Sequence, residues 1–265
     1  MAYVSLSQRD INVLEKIKDP ESDPSLAIQV DPNLPKDPYI SDPETYERIS
    51  RQEREIIMSL QRLESPKVQP SQPGSQADSV EGYRKAVEGF GQLIQDYPQY
   101  ASARNNRVQA LRGLYGDSML VANAPRLPQA LLHDVDDTER LEAAQTALSD
   151  LDYAISLLAP VTAYSKLSPQ VARTLRNSYT QRAAIYLMTS KLMGSNSLSV
   201  NASRREAKWS KLDFETHASS DFAMGARYGS EIAKGLAVST NPTAKLCGQM
   251  VREAMKREYG PDYSA

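Results

Sequence analysis

Two runs of this sequence carry polar side chains at helical spacing. The first is Asn105, Asn106, Gln109 and Arg112; the second is Asn177, Thr180 and Gln181, continued by Ala184. A side-chain amide has an NH2 that donates and an oxygen that accepts, and the backbone of an extended peptide presents the matching groups at regular intervals. Placed on neighbouring helices, the two runs line a polar surface that can hydrogen-bond a chain laid along it. The plain alternative is a solvated face with no partner.

Other residues that often do chemistry are scarce. His133 sits beside Asp134, Asp136 and Asp137. A metal needs ligands preorganised at fixed geometry, and a run of acids in a loop reads as a solvated tip instead. His217 reads as a surface or packing residue of a helix. Cys247, the only cysteine, has no histidine near it in sequence and reads as a small buried hydrophobe beside Leu246. There is no Gly-rich phosphate loop and no Gly-x-Ser-x-Gly elbow. Ser65-Pro66 and Ser168-Pro169 have the form of phosphosites, but Ser168 is better placed as a helix cap. Asn201-Ala202-Ser203 matches a glycosylation sequon by chance. The expectation is a protein without catalytic residues, metal or cofactor.

Composition narrows the partners. Lys and Arg number 31 against 33 Asp and Glu in 265 residues, a net charge of -2, with a pI near 5.8. A phosphate-backbone binder needs a clustered basic excess, so nucleic acid is not expected. No stretch approaches the ~20 apolar residues of a membrane span. Met1 to Ser5 opens no secretory signal, and Asp262 to Ala265 is no retention or prenylation signal. With one cysteine and no internal disulfide, the expected compartment is the cytoplasm, with the nucleus also open.

The elements that must position these side chains are helices. Prolines 20, 24, 32, 35, 38 and 43 recur from Asp19 to Pro43, a density that helix and sheet interiors reject, so this stretch is expected to be an extended or disordered arm. Ahead of it, Ile11, Leu14 and Ile17 suggest a short helix over Arg9 to Lys18. Asp42-Pro43 and Ser168-Pro169 read as N-cap plus first helical residue. Helices are expected over about 44–63, 79–96, 101–115, 138–158, 169–191, 204–228 and 231–259, and no segment alternates long enough for a sheet. Asn241-Pro242 is a point where the last helix kinks or splits.

The helices repeat in pairs. Ala86, Phe90, Leu93 and Pro98 share a small-large-small-proline pattern with Ala147, Leu151, Ala154 and Pro160, and with Ala218, Phe222, Gly225 and Ser230. Ala103 to Leu111 aligns with Ser178 to Tyr186, setting Arg107 against Arg182 and Leu111 against Tyr186. This is the arrangement of a tetratricopeptide repeat (TPR), in which two helices form a unit of about 34 residues. Here the units are longer, and the excess falls in the turn within each pair, at 64–78, 116–137 and 194–203. Such insertions are expected to project from one edge. A generic helical bundle is the competing reading.

The sequence resembles the tetratricopeptide repeat protein 36 family. The resemblance is carried by Asn105-Asn106-Arg107, by Asp221-Phe222, by Ala226-Arg227-Tyr228-Gly229-Ser230, and above all by Asn241-Pro242-Thr243-Ala244-Lys245-Leu246-Cys247 with Gln249-Met250. Asn12 to Pro24 resembles the short element at the family's N-terminus. The match covers roughly 79–255, interrupted by the insertions. It implies three TPR pairs with a capping helix, and a non-catalytic adaptor. It also implies binding to an Hsp70-type chaperone, a link to an enzyme of tyrosine catabolism and, less directly, to cilia. TPR proteins grip acidic chaperone tails with a clamp of Lys, Asn and Arg. Asn106 stands at the clamp's second-unit Asn, but Asn177 and Gln181 stand where Lys and Arg belong, and Arg173, Arg176 and Arg182 are expected to point elsewhere.

The expected architecture is therefore all-α: a right-handed α-solenoid of about three TPR pairs over 44–230, an arm over 1–43, and a capping helix with tail over 231–265. Ile232, Leu236, Leu246, Met250 and Met255 are expected to cover the last unit's apolar face. The expected function is that of a protein-binding adaptor whose partner is a chaperone or a metabolic enzyme. The rivals are a self-associating structural subunit and an enzyme with dispersed catalytic residues.

Overall fold

The computed structural model describes residues 28–64, 73–122, 130–133, 135–162, 165–193 and 197–259. The expected short helix Arg9–Lys18, the first part of the arm, Ser65-Pro66 and Asp134 lie outside the described residues. The described chain is all-helical: α1 (Pro43–Glu64), α2 (Pro73–Asp96), α3 (Ala101–Tyr115), α4 (Asp137–Leu158), α5 (Pro169–Leu192), a 3-10 turn (Arg205–Lys208), α6 (Lys211–Arg227), α7 (Glu231–Thr240) and α8 (Pro242–Tyr259). Among the described residues there is no strand, and two isolated bridges pair Val30 with Leu167 and Val121 with Leu198.

Local chemistry sets the boundaries. Asp42 caps α1 by accepting from the Thr45 backbone N–H at 2.9 Å. The Ser168 hydroxyl caps α5 from Val171 N–H, with Pro169 in the first turn. Such caps contribute about 1 kcal/mol each. The helix expected over 204–228 is broken instead: Ser210 and Asp213 form a reciprocal capping box that starts α6 afresh. The last helix splits at the proline, where the Asn241 side chain accepts from the Thr243 and Ala244 amides and so opens α8. Helix α2 begins at Pro73, earlier than expected, because a proline is tolerated in the first turn where its missing N–H has no partner to lose.

Each helix packs on the next, and α3 also packs on α5. The repeated small and large positions are the core. Ala86, Phe90 and Leu93 are buried, as are Ala147, Leu151 and Ala154, and Ala218, Phe222 and Gly225. Each fully buried Phe contributes roughly 2–3 kcal/mol by burial. Trp209 packs edge-on against Tyr186 and Phe214, while its ring stacks on His217 at 4.0 Å.

Three expectations are corrected. The insertion after α3 does not simply project: Met119, Leu120 and Val121 are fully buried, and Ala122 and Ser199 exchange backbone hydrogen bonds with Ser197 and Leu120 across the two insertions. Apolar side chains in an irregular loop gain the same burial energy as those in a helix. The cap is made by α7 rather than by the whole C-terminal segment. Ala233 and Thr240 are buried and Leu236 is partly so, but Ile232, Leu246 and Met250 are 75%, 56% and 62% exposed and α8 buries no residue. Because α8 turns away at Asn241, Cys247 is exposed as well.

The described part of the arm is irregular, with turns at Pro32-Asn33 and Pro38-Tyr39, and lies back on the body. Asp31 N–H donates to Leu167 O at 2.9 Å, and Leu167 N–H donates to Gln29 O at 3.0 Å. Tyr39 OH donates to Leu157 O, and Ile28 packs on the cluster of Leu158, Val171 and Tyr228.

Candidate protein-binding groove

Helix α5 meets α3 through Gln181. There a groove of about 580 Å³ is lined by Gln109 and Arg112 of α3, Arg176, Asn177, Thr180 and Gln181 of α5, and Gly229, Ser230, Glu231 and Ile232 at the turn into α7. Five of the seven expected residues, Gln109, Arg112, Asn177, Thr180 and Gln181, meet here. The third wall, the turn into α7, lies outside the expected set. It exists because Gly229 takes a φ of 91°, which side-chain-bearing residues rarely adopt, and reverses the chain so that Ser230 can cap α7.

Groups along the groove differ in what they have left to offer. Gln109 is exposed. Arg112 is fixed in place by Asp117, with bonds of 2.5 and 3.1 Å, and its charge is thereby offset. Asn177 Oδ1 accepts from Arg176 Nε at 3.3 Å, and the Thr180 hydroxyl donates to Arg176 O at 2.7 Å. Arg176, expected to point elsewhere, lines the groove beside Asn177.

Two expected groove residues are instead buried between helices. Asn105 is 3% exposed and Gln181 6%. Asn105 Oδ1 accepts from Gln181 Nε2 at 2.7 Å and from Ser178 Oγ at 3.2 Å, joining α3 to α5. A buried amide must find partners within the protein, so this pair is part of the helix contact, and Gln181 reaches the groove only at its edge. Asn106 is likewise committed, donating to Glu53 Oε1 of α1 at 2.7 Å. It bonds to the neighbouring unit rather than standing free as a clamp residue.

Ion pairs between helices are the feature that spacing did not reveal. Arg107 bonds Asp150 at 2.6 and 2.8 Å, and Arg104 adds a third contact at 2.9 Å. Arg182 bonds Asp221 at 2.7 and 2.8 Å and Asp152 at 2.7 Å. Burial alone would lower the Arg182 affinity for its proton, but the bonds to Asp221 outweigh it and hold the guanidinium above its ordinary range. The alignment of Arg107 with Arg182 was the available signal. Elsewhere His133 is exposed, and no group of three or more potential metal ligands gathers among the described residues. No helix among them is long and apolar enough to cross a membrane.

Comparison with known proteins places the molecule. It is 34% identical over 259 residues to the L-tyrosine degradation gene cluster protein hmgX of Aspergillus fumigatus, covering 96% of this chain and 93% of that one. It is 30% identical over 212 residues to human tetratricopeptide repeat protein 36, covering 80% and 79%. It is 26% identical over 253 residues to the Drosophila melanogaster homologue, covering 96% of both. The chain belongs to the tetratricopeptide repeat protein 36 family. No family model and no solved structure matches it. The residues that carry the family resemblance do structural work here. Asn105 joins α3 to α5, Arg107 and Asp221 form the ion pairs, Phe222 fills the core, Gly229 makes the turn and Asn241 starts α8.

Proposed function

We propose that this member of the family is a non-catalytic, cytoplasmic adaptor. In this reading α1–α2, α3–α4 and α5–α6 are three TPR pairs of a right-handed solenoid, α7 is the cap, and the groove between α3, α5 and the α7 turn holds an extended segment of another protein. The observation that carries it is the convergence of Gln109, Asn177 and Thr180 in one groove beside the exposed Ile232. The amides and hydroxyl suit a peptide backbone, and Ile232 suits one apolar side chain.

Among the partners the resemblance implies, an enzyme of tyrosine degradation fits better than the acidic tail of an Hsp70-type chaperone. A relative is named for a tyrosine-degradation gene cluster. Clamp-type recognition of a carboxylate needs converging cationic donors, whereas here Asn106 is bound to Glu53 and Gln181 to Asn105.

The test is a pulldown from cytosolic extract with wild type and with Gln109→Ala plus Asn177→Ala, read by mass spectrometry. A tyrosine-degradation enzyme retained by wild type and lost from the double variant supports the groove. Equal retention by both moves the site elsewhere. A second reading, self-association, rests on the exposed Leu246, Met250 and Val251 of α8. Sedimentation across a concentration range distinguishes it: a constant monomer removes that reading.

A further inference from the structure

A second, smaller cavity lies where the arm crosses the body. It measures about 230 Å³ and is walled by Lys36 and Asp37 of the arm, by the Tyr46–Ile57 face of α1, by Tyr100 and Ser102 at the start of α3, by Leu158, and by the first turns of α5. The arm is held over it by the Leu167 backbone bonds and by the Ser168 hydroxyl, which donates to Lys36 O.

The lining is polarised. Asp37 and Glu53 are only 5% and 6% exposed, and among the described residues neither has an ion-pair partner. Glu53 accepts from neutral groups alone: Tyr100 OH at 2.6 Å, Asn106 Nδ2 at 2.7 Å and the Ser102 side chain. Asp37 accepts from Tyr39 N–H at 2.8 Å. Buried carboxylates are ordinarily paired with a cation, because neutral donors do not offset the loss of hydration of two like charges near each other. Burial pushes both carboxyls up from their usual range, and no cation pulls Glu53 back. Lys36 does not serve, since its ammonium is bound to Glu47 at 2.6 Å. Arg54 and Arg173 also line the cavity but are exposed, at its solvent side. Ile57, Leu158 and Val171 line the same cavity and offer apolar surface.

Buried anions, exposed guanidinium groups and apolar surface lining one cavity suit a zwitterion with an apolar side chain. We propose that this cavity binds a free α-amino acid with an apolar side chain. Its ammonium group meets Asp37 and Glu53, its carboxylate meets Arg54 and Arg173, and its side chain packs on Ile57 and Val171. A single ammonium on the two acids supplies the missing cation and bridges the arm to α1, so occupancy clamps the arm in place. The inference does not rest on the groove between α3 and α5.

The test is calorimetric titration of the full chain at neutral pH with L-phenylalanine and L-leucine. Two controls accompany them: 3-phenylpropanoate, which lacks the ammonium, and 2-phenylethylamine, which lacks the carboxylate. One saturable site for at least one of the amino acids is expected, with each control at least tenfold weaker. Glu53→Gln and Arg173→Gln should each weaken binding at least tenfold, while Gln109→Ala plus Asn177→Ala leaves it unchanged. Arg173 is exposed, so its variant keeps the wild-type melting temperature and separates loss of binding from loss of fold. Absence of saturable heat with both amino acids overturns the proposal. So does a control that binds as well as the amino acid, or Arg173→Gln binding like wild type.

Discussion

Arg182 of α5 and Asp221 of α6 are joined by two hydrogen bonds, of 2.7 and 2.8 Å, and Arg107 of α3 joins Asp150 of α4 in the same way at 2.6 and 2.8 Å. The two acids occupy matching places, three residues after Ala147 and three after Ala218. Two helix pairs of the chain are thus fastened by the same bond at the same positions, which is direct structural support for an internal repeat. The pair α1–α2 differs: the position matching Asp150 is Gly89, where an added Cβ would stand 3.0 Å from Ile56 Cδ1. Close apolar contact replaces the ion pair there.

Removing one partner of a buried pair costs about 3–5 kcal/mol when the other is left charged and unpaired; the cost is smaller here because Arg182 keeps its bond to Asp152 at 2.7 Å. Asp221→Ala is therefore expected to lower the unfolding free energy by about 1–3 kcal/mol in urea denaturation. Combining it with Arg182→Met should recover a large part of the loss. A loss under ~1 kcal/mol for Asp221→Ala would show that the pair is not a fastening.

Glu206 makes stability pH-dependent. Its carboxylate is fully buried and accepts from Tyr186 OH at 2.8 Å and Arg204 Nε at 3.0 Å. Burial alone would push the carboxyl up, but the bonds from Arg204 and Tyr186 outweigh it and hold it down at about 2, against an ordinary 4.5. The unfolded chain takes up the proton first as pH falls. The stabilisation is therefore complete above the ordinary value and vanishes as pH drops to about 2; it amounts to roughly 3 kcal/mol at neutral pH. The stability gap between wild type and Glu206→Gln is expected to be largest near pH 7 and to close toward pH 2. A gap that does not change with pH contradicts the assignment.

At Gly225, α5 and α7 both approach α6 closely. A Cβ added there would stand 2.7 Å from Thr180 Oγ1 and 3.3 Å from Ala233 Cβ. Gly225→Ala is expected to destabilise the fold by about 1–3 kcal/mol through overpacking, although alanine favours helices. A higher melting temperature would mean that the three helices separate at no cost.

The two amides Gln181 and Gln109 should separate stability from binding. Gln181→Ala removes the 2.7 Å bond to Asn105 Oδ1 from the interior, leaving that oxygen the longer bond from Ser178, and is expected to cost about 1 kcal/mol of stability. Gln109→Ala exposes nothing and should leave the melt unchanged while weakening partner capture. Thermal melts of both variants, set beside their pulldowns, check this.

What was legible in the sequence was local or periodic. Asp42-Pro43 and Ser168-Pro169 start helices because a cap involves only neighbouring residues. The Ala147, Leu151 and Ala154 pattern marks a buried face because helical spacing alone puts these residues together. Asn105 and Gln109 are one turn apart on the same side of α3, and spacing cannot separate them. Only the position of α5 decides that Asn105 is covered and Gln109 is not. The bond between Arg182 and Asp221 joins residues 39 apart, and the return of the arm to Leu167 spans more than a hundred. Both depend on how whole helices are arranged. The exposure of Leu246 and Met250 was hidden for the same reason: an apolar stripe on a helix shows that something can cover it, not that the rest of the chain does.

The groove between α3, α5 and the α7 turn is proposed to hold a partner protein. The most direct measurement places a photo-crosslinking amino acid singly at Gln109, at Ile232 and, as a control on the exposed side of α2, at Glu88. An enzyme of tyrosine degradation is expected to cross-link through Gln109 and Ile232 and not through Glu88. Cross-linking of that enzyme through Glu88 but through neither groove position would contradict it.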